Sequence, residues 1–296
     1  MRADPDLNEP IAAIEALIAV LSTSPLSTVS ETLALIETSS QQLKDGVTNP
    51  VSPSAGTDLF QRYIASILQN GSSTDFGAIR AYLLGNSKVF VKRAKEARNV
   101  IASIAKQLVQ YDTVVLTLGT SRVVSAVLNA AADDAVSFSV IHVNENDQAA
   151  SSTTNLTSSL RSKNIPVTTM PLSTLANVMH KISFTMIGAE SVTETGGILS
   201  SMGTRQISLL SHNSRKPLYA VAESHKFVRV FPLRLDELGM EQELSCGVDK
   251  DRSADVRSDF SSLPEFTPPQ VVTALITENG VYDPSAVAEE LIKIWY

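Results

Sequence analysis

The sequence predicts an α/β protein with an all-helical N-terminal domain over residues 1–111 and a Rossmann-like parallel-sheet domain over residues 112–296. Apolar residues recur at helical spacing through the first 110 positions. After residue 112, short β-branched runs alternate with helical stretches. The length of 296 residues also exceeds what one compact core usually holds, which favours two domains.

Five helices are predicted in the first half. The start of the second is the most specific, because Thr28 and Glu31 have the spacing of a capping box. Val29 and Leu33 are then expected to open its apolar face. A break is expected at Gly85, since glycine commonly ends helices. The predicted helices cover residues 10–21, 28–43, 58–70, 76–84 and 90–108.

The second half alternates strands and helices with short links, which is typical of βαβ units in a parallel sheet covered on both faces. Residues 188–197 are predicted to be a glycine-rich loop, and residues 239–264 a polar, flexible excursion. The predicted strands cover 113–118, 137–143, 167–170, 182–187, 218–222 and 271–277. The predicted helices cover 121–132, 150–163, 172–180, 203–213 and 284–295.

Composition excludes several classes of protein. The net charge of −7 argues against nucleic acid as a direct partner. No run approaches the ~18 apolar residues of a membrane-spanning helix, and no secretory signal is expected. The single cysteine, Cys246, cannot form an internal disulfide, which fits a reducing compartment and a cytoplasmic location.

The sequence lacks the motifs that indicate a bound nucleotide or dinucleotide cofactor. It contains no GxxxxGK[ST] phosphate loop and no GxGxxG after the first strand, so no dinucleotide cofactor is expected. The four histidines show no metal-ligand spacing with one another or with Cys246, so no metal site is expected either.

Polar segments follow three predicted strands, at the edge where open parallel sheets bind ligands. The first segment, Thr120-Ser121-Arg122, opens a helix. Helix starts attract anions and arginine offers a bidentate fork, so this segment fits a phosphate site. The alternative is a simple N-cap beside a surface arginine.

The second segment carries Glu190, followed by Thr204 and Gln206, and the third carries Lys226. Glu190 could hydrogen-bond sugar hydroxyls or act as a base, and Lys226 could meet an anion bound at the same edge. The alternative for both segments is a solvated loop whose glycines supply turns.

A basic stretch lies along the helix predicted over residues 90–108 and just before it. Lys88, Lys92 and Lys95 belong to this stretch, as does Arg98. It fits a solvated face, a face that packs on the acidic second domain, or a surface for an acidic or phosphorylated partner.

Several sequence motifs, which occur in the same order as in a known family, carry a family resemblance. Gly188–Ile198, Gly203–Gln206 and Lys216–Leu233 together resemble the alpha, beta and delta subunit family of initiation factor 2B. The phrases at 120–124 and 284–292 match as well. The short N-terminal region and the form of the 223–233 phrase are most similar to the alpha branch. The resemblance covers nearly the whole chain.

This resemblance implies a regulatory subunit rather than an enzyme. It implies a homodimer that joins beta, gamma, delta and epsilon subunits in the guanine-nucleotide exchange factor for initiation factor 2. Exchange activity is expected in the epsilon subunit. This chain would help inhibit exchange when initiation factor 2 is phosphorylated on its alpha subunit, and the basic stretch would form part of that regulatory surface.

The fold also resembles sugar-phosphate isomerases, which pair a cysteine in a Thr-His-Cys phrase with a later aspartate. Gly119 and Glu190 stand at those two positions here, and Leu118 replaces the histidine. Glycine has no proton to give, so isomerase activity is expected to be absent. Ser200 and Ser201 replace a family Asn-Lys pair, and losing that lysine would weaken phosphate binding by roughly 1.5–3 kcal/mol.

A sugar phosphate or nucleoside monophosphate is therefore the expected ligand class, bound more weakly than in relatives. An active sugar-phosphate isomerase and a metabolite-binding dimer outside translation are the alternative interpretations of the chain. The candidate ligand-binding residues are Thr120, Ser121, Arg122, Glu190, Thr204, Gln206 and Lys226.

Overall fold

A computed structural model describes residues 8–24, 28–47, 51–70, 76–144, 155–230 and 264–289, the side chains of 67–84, 86–88 and 90 excepted. Four helices come first: α1 (Glu9–Thr23), α2 (Val29–Asp45), α3 (Val51–Asn70) and α4 (Phe76–Ala105). The remaining helices are α5 (Arg122–Asp133), α6 (Asn155–Ser162) and α7 (Thr204–Asn213). The described residues also include five 3-10 segments: Lys106–Leu108, Leu172–Lys181, Ser224–Lys226, Pro269–Val271 and Pro284–Ala286.

The predicted capping box is confirmed at the start of α2, but the first half of the predicted apolar face, Val29 and Leu33, is wrong. The Thr28 hydroxyl accepts a hydrogen bond from Glu31 N, and the Glu31 carboxylate accepts one from Thr28 N. Val29 and Leu33 are 36% and 39% exposed, whereas Ile36 is buried. The buried face of α2 carries threonine and serine besides Ile36, and these small polar residues carry no hydrophobic signal.

Two predicted helix boundaries are also wrong. Helix α3 begins at Val51, earlier than the predicted residue 58, because Pro53 falls in its first turn, where proline is tolerated. Helix α4 continues through Gly85 as one helix of 30 residues. An interior glycine costs a helix only about 1 kcal/mol relative to alanine, so it weakens α4 without ending it.

Helix α4 contributes to two hydrophobic cores. Val91 and Ala94 pack with α1 and α3 in the core of the helical region. Ile101 and Ala105, further along the same helix, pack with α5 and the first strands in the core of the sheet. A fully buried Ile such as Ile101 contributes roughly 1.5–3 kcal/mol, so this shared helix stabilises both regions.

Eleven strands are described, and they form two sheets. They are β1 (Val114–Leu118), β2 (Ser139–Asn144), β3 (Val167–Pro171), β4 (Phe184–Gly188), β5 (Ser191–Thr193), β6 (Ile198–Ser200), β7 (Leu218–Val221), β8 (Phe227–Val228), β9 (Glu265–Thr267), β10 (Ala274–Thr277) and β11 (Gly280–Tyr282). The larger sheet has the order β11-β10-β7-β4-β1-β2-β3. Its strands are parallel except β11, which pairs antiparallel with β10.

The six parallel strands follow the order of a Rossmann sheet, with β1 at the centre and the chain moving outward first on one side and then on the other. Alternate β1 residues face opposite layers. Val115 packs towards α4 and α5, and Leu116 packs towards α7 and the 172–181 turn. The predicted α/β fold class is therefore confirmed.

The second sheet, of order β8-β5-β6-β9, was not expected from the sequence. Its strand β5 lies inside the segment predicted to be a glycine-rich loop and forms a hairpin with β6, which directly follows that segment. Strands of three residues are too short to show alternation, so the pattern gave no signal. Gly197 is required there because a Cβ atom would lie 2.5 Å from the Phe266 ring.

Some predictions fall on residues outside this description. The polar excursion at 239–264 lies outside it except for residue 264, and the closing helix is described only as the 3-10 turn Pro284–Ala286 followed by helical residues to 289. The late strand starts at Ala274 rather than 271, after a 3-10 turn.

None of the described helices is both long enough and apolar enough to cross a membrane.

Candidate functional site

A cavity of about 260 Å³ opens at the carboxyl ends of β1, β4 and β7. Leu118 ends β1 at one wall, and Ile187 and Ala189 lie at the end of β4. The order of the sheet reverses at β1, and ligands of such sheets bind in the crevice at that switch point. We call this the sheet-edge cavity.

The β1–α5 turn forms one wall of the sheet-edge cavity. Gly119 adopts a left-handed conformation with φ of 67°, and its carbonyl lies 2.9 Å from Nε2 of the buried His142. Ser121 then caps α5, its hydroxyl accepting a hydrogen bond from Val124 N. A Cβ atom on Gly188 would lie 2.0 Å from Ser121 Oγ, so glycine is what lets α5 start directly against the end of β4.

A buried ion pair forms the opposite wall. Lys226 Nζ lies 2.7 Å from Glu223 Oε2 and donates a hydrogen bond of 3.0 Å to the Ala189 carbonyl. Burial alone would raise the pKa of Glu223, but Lys226 and His225 outweigh it and lower that pKa to about 2. The Glu223 carboxyl is therefore ionised at neutral pH, and its negative charge offsets the positive charge of the Lys226 ammonium that faces the cavity.

The turn Ser224–Lys226 that carries this lysine is held from two sides. Ser224 donates from its backbone N and its hydroxyl to the Glu278 carboxylate. On the other side, Asn8 at the start of α1 lies with its amide nitrogen 2.9 Å from Nε2 of His225. The Asn8 amide is the donor, because its oxygen already accepts from Ile11 N.

Burial lowers the pKa of His225 to about 4, with Lys226 and Arg98 adding to the effect and Glu223 opposing it. The ring is consequently neutral at physiological pH, which matches its role as an acceptor for Asn8. The helical region and the cavity wall are thus joined by a buried hydrogen bond.

The start of α7 is already occupied by a carboxylate. Gly203, with φ of 95°, caps the helix, and Glu265 Oε2 accepts hydrogen bonds from Gly203 N at 2.9 Å and Arg205 N at 3.0 Å. A carboxylate at a helix N-terminus satisfies unpaired donors and complements the helix dipole. These two donors of α7 are therefore engaged within the chain.

The structure brings together six of the seven candidate ligand-binding residues. The residues that line the sheet-edge cavity are Thr120, Ser121, Arg122, Glu190, Thr204 and Lys226. Gln206 does not line it and is exposed on α7. Thr204 is the first residue of α7 and faces inward, and two further residues turn the helix by about 200°, which carries Gln206 to the outer side.

Sequence reasoning missed Glu223 and Ser201, which also line the sheet-edge cavity. Glu223 directly follows β7 just as Glu190 follows β4. The rule that selected Glu190, a carboxylate placed after a buried strand, would have found Glu223 as well. In the sequence, Ser201 is notable only as the position where family members carry a lysine.

A second cavity, of about 390 Å³, adjoins the first across the start of α5. The two share Thr120, Ser121 and Arg122. The second cavity lies between three helices, with Arg98 from α4 on one side and Asn155 from α6 on the other. We call it the interhelix cavity.

The basic stretch is partly neutralised. Lys95 pairs with Glu15 of α1 at 2.9 Å, and Lys92 contacts Glu96 at 3.8 Å. The side chain of Lys88 lies outside the described residues. Such exposed pairs contribute about 0–1 kcal/mol each, and 77% of the Lys92 side chain is still exposed.

The groups that line the sheet-edge cavity suit the recognition of a polar, anionic ligand. It offers carboxylates and hydroxyls to a ligand's hydroxyl groups, and cations and a helix start to an anion. Within the described part of the chain, no cluster of three or more His, Cys, Asp or Glu side chains could hold a metal ion. Cys246 falls outside that part.

The strand order and the ligand-type cavity at its switch point define an α/β protein of the Rossmann-like class. A sequence model of the initiation factor 2 subunit family matches residues 2–284. The chain belongs to that family.

Relatives of similar sequence agree with this placement. Translation initiation factor eIF2B subunit alpha of Dictyostelium discoideum is 29% identical over 100% of this chain and 94% of its own length. The subunit alpha of Caenorhabditis elegans is 28% identical over 99% of this chain and 94% of its own length. A subunit delta of Dictyostelium discoideum is 23% identical over 80% of this chain but only 40% of its own length.

Among solved structures, the tetrameric eIF2B-beta2-delta2 complex from C. thermophilum has a chain that superposes with a TM-score of 0.81 at 19% identity, covering 96% of this chain and 88% of that one. The Pyrococcus horikoshii OT3 translation initiation factor eIF-2B gives a TM-score of 0.67 at 23% identity, covering 93% and 90%. At these identities the likeness concerns the fold.

Proposed function

We propose that this chain is the alpha, regulatory subunit of the guanine-nucleotide exchange factor for initiation factor 2. The observation that carries the proposal is the sequence match to two alpha subunits, which are 29% and 28% identical over nearly all of this chain. The delta relative, by contrast, is 23% identical over 80% of this chain.

In this role the chain forms a homodimer, associates with beta, gamma, delta and epsilon subunits in the cytoplasm, and makes exchange sensitive to phosphorylated initiation factor 2. The exposed basic stretch supports the last point, because lysines suit a phosphorylated or acidic partner. Of its members, Lys92 and Lys95 keep 77% and 46% of their side chains exposed.

The test is reconstitution with the other four subunits and measurement of guanine-nucleotide release from initiation factor 2. We expect the chain to change basal release little and to confer inhibition by the phosphorylated factor. Replacing Lys92 and Lys95 with glutamate should weaken that inhibition, while Lys181→Glu on another exposed part of the surface should not. A chain that neither joins the complex nor alters inhibition would refute the assignment.

We further propose that the sheet-edge cavity binds a small sugar phosphate or nucleoside monophosphate without transforming it. The support is its lining, in which Glu190 and Glu223 can accept from sugar hydroxyls while Arg122 and the start of α5 attract an anion. Calorimetry with ribose 5-phosphate and nucleoside monophosphates tests binding. The absence of heat at millimolar concentrations would exclude it.

The non-catalytic part of the proposal has its own support. The position of the isomerase cysteine is held by Gly119, which carries no titratable group, and its backbone is left-handed. A coupled assay for ketose formation should give no turnover above the rate without protein.

A further inference from the structure

The amino ends of β4 and β7 carry lysines at the opposite end of the sheet from the sheet-edge cavity. Lys181 lies three residues before β4 begins, and Lys216 lies two residues before β7 begins. These two strands are parallel neighbours in which Thr185 pairs with Leu218. Because neighbouring strands are about 4.8 Å apart, the two lysines lie close together at one edge of the sheet.

Further basic groups surround these lysines. The 172–181 segment and α7 pack together through one hydrophobic core, which brings their carboxyl ends to the same edge. His212 lies in the last turn of α7, and Arg215 follows that turn. All of these basic side chains are exposed except Lys216, which is half-buried. We use the name strand-start surface for His180, Lys181, His212, Arg215 and Lys216.

The two chain segments that form the strand-start surface supply no carboxylate to it. Neither residues 172–181 nor residues 204–217 contain an aspartate or a glutamate. Among the residues that the structure describes, no ion pair involves Lys181, Arg215 or Lys216. Their positive charges are therefore not balanced by carboxylates of the described part of the chain.

Lysines on the opposite face of the sheet have carboxylate partners. Lys106 pairs with Asp134 and Lys163 pairs with Asp133, each at 2.6 Å. Asp112, which precedes β1 at the same end of the sheet, forms no ion pair with the strand-start surface within the described residues. The strand-start surface is thus a local excess of positive charge in a chain whose net charge is −7.

Arg215 occupies a backbone position that favours glycine. The Lys216 amide donates to the Ser211 carbonyl at 2.9 Å and the Arg215 amide donates to the His212 carbonyl at 3.0 Å, which is the Schellman pattern of a helix end. Arg215 is the left-handed residue of this motif, with φ of 55°, so its side chain is strained relative to glycine. Complementing the helix dipole requires no cation at this strained position. The outlier therefore points to a role for the exposed guanidinium itself.

We propose that the strand-start surface binds a short acidic segment of a partner protein, with aspartate or glutamate carboxylates against Lys181, Arg215 and Lys216. A short segment interacts mainly with these local charges, because solvent ions screen more distant ones. A long polyanion such as RNA would also be repelled by the net charge of −7. The surface lies on the face of the sheet opposite to α4, so it is separate from the basic stretch and from the proposed regulatory contact.

The test is fluorescence anisotropy of the full chain with a fluorescein-labelled peptide of alternating glutamate and serine, at about 50 mM NaCl. We expect the double variant Arg215→Glu, Lys216→Glu to weaken peptide binding by at least about tenfold, because two attractive pairs become repulsive. Raising NaCl to about 500 mM should weaken it as well. The matched control is Lys92→Glu with Lys95→Glu, which makes the same change in net charge on α4 and should leave the affinity within about twofold.

Arg215→Gly separates peptide binding from folding. Glycine suits the left-handed backbone, so this variant should unfold at a higher urea concentration than the unaltered chain. It should nevertheless bind the peptide about two- to fivefold more weakly, because one cation is lost. Unchanged peptide affinity in both Arg215→Gly and the double variant would overturn the proposal.

Carbodiimide cross-linking followed by mass spectrometry locates the bound peptide, since it joins peptide carboxylates to nearby lysines. We expect cross-links at Lys181 and Lys216, and cross-links confined to Lys92 and Lys95 would place the acidic site elsewhere and refute the proposal. No binding to the unaltered chain at about 1 mM peptide would refute it too, as would tighter binding of a single-stranded RNA at the same lysines. Each of these results leaves the regulatory assignment standing, because nucleotide release in the reconstituted complex is measured independently.

Discussion

Replacing Lys226 with methionine should destabilise the protein far more than removing an ordinary surface lysine. The change keeps the length of the side chain but deletes the ammonium that lies 2.7 Å from Glu223 Oε2. The Glu223 side chain is 3% exposed, so water cannot replace the lost partner. An uncompensated buried carboxylate is among the costliest single defects in a fold.

The magnitude follows from the titration of Glu223. Its pKa is lowered from 4.5 to about 2, a difference that corresponds to roughly 3 kcal/mol in favour of the ionised, paired form. Breaking a buried pair by removing one partner costs about 3–5 kcal/mol in general. We therefore expect Lys226→Met to lower the free energy of unfolding by about 3 kcal/mol at pH 7.

The pH dependence has a definite sign. Because the folded pKa of Glu223 is depressed, its stabilising contribution is full above pH 4.5 and is lost as the pH falls towards about 2. Without Lys226, the largest effect that opposes burial is lost, so the pKa of Glu223 rises and the carboxyl becomes neutral at a higher pH than in the unaltered chain. The difference between the unaltered chain and Lys226→Met should shrink between pH 7 and pH 4.

Urea unfolding followed by circular dichroism at both pH values measures this difference. Lys92→Met removes a lysine whose side chain is 77% exposed and whose ion pair is 3.8 Å long, so it should cost less than about 1 kcal/mol. Adding Glu223→Gln to Lys226→Met should restore much of the lost stability. Equal, small losses for the Lys226 and Lys92 variants at pH 7 would refute the reasoning.

Four further predictions concern stability. Gly188→Ala should cost about 1–3 kcal/mol by urea unfolding, because its Cβ would lie 2.0 Å from Ser121 Oγ, and Ser121→Gly in the same chain should relieve most of that cost. Thr28→Ala should cost about 1 kcal/mol by removing the capping box of α2, and Thr28→Ser should cost little; similar losses for both would argue against the cap. The pKa of His225 is lowered to about 4 by burial, so stability should fall as the pH drops from 6.5 towards 4, and His225→Gln should flatten this part of the profile. Asn8→Ala should lower stability by about 1–3 kcal/mol at pH 7, since it leaves the His225 acceptor unpaired, and an unchanged melting temperature would contradict that.

The order of elements could be predicted from the sequence because it depends on local patterns. The runs at 113–118 and 182–187 are apolar and β-branched, and each became a central strand, Val114–Leu118 and Phe184–Gly188. Short strands could not be predicted in the same way. Ser191–Thr193 and Ile198–Ser200 owe their pairing to contacts across the second sheet and carry too few residues for a periodic signal.

The candidate site was predictable to the extent that strand ends converge. Thr120, Glu190 and Lys226 are far apart in sequence and meet because their strands are parallel neighbours or near neighbours. What the sequence could not supply was the phase of α7, which turns Gln206 outward, and the pairing of Lys226 with Glu223. Both depend on three-dimensional orientation rather than on residue type.

The left-handed turn at Gly119 is poorly suited to the cysteine that the isomerase pattern would place at this position. A cysteine placed at this position would bring a Cβ atom into a conformation with φ of 67°, at a cost of about 1–2 kcal/mol. The carbonyl of Gly119 also holds the buried His142 ring, so the turn cannot relax without disturbing that contact. A thiol introduced here by a single substitution would therefore be strained and displaced. The backbone of this turn would have to change before a side chain at this position could act as a nucleophile.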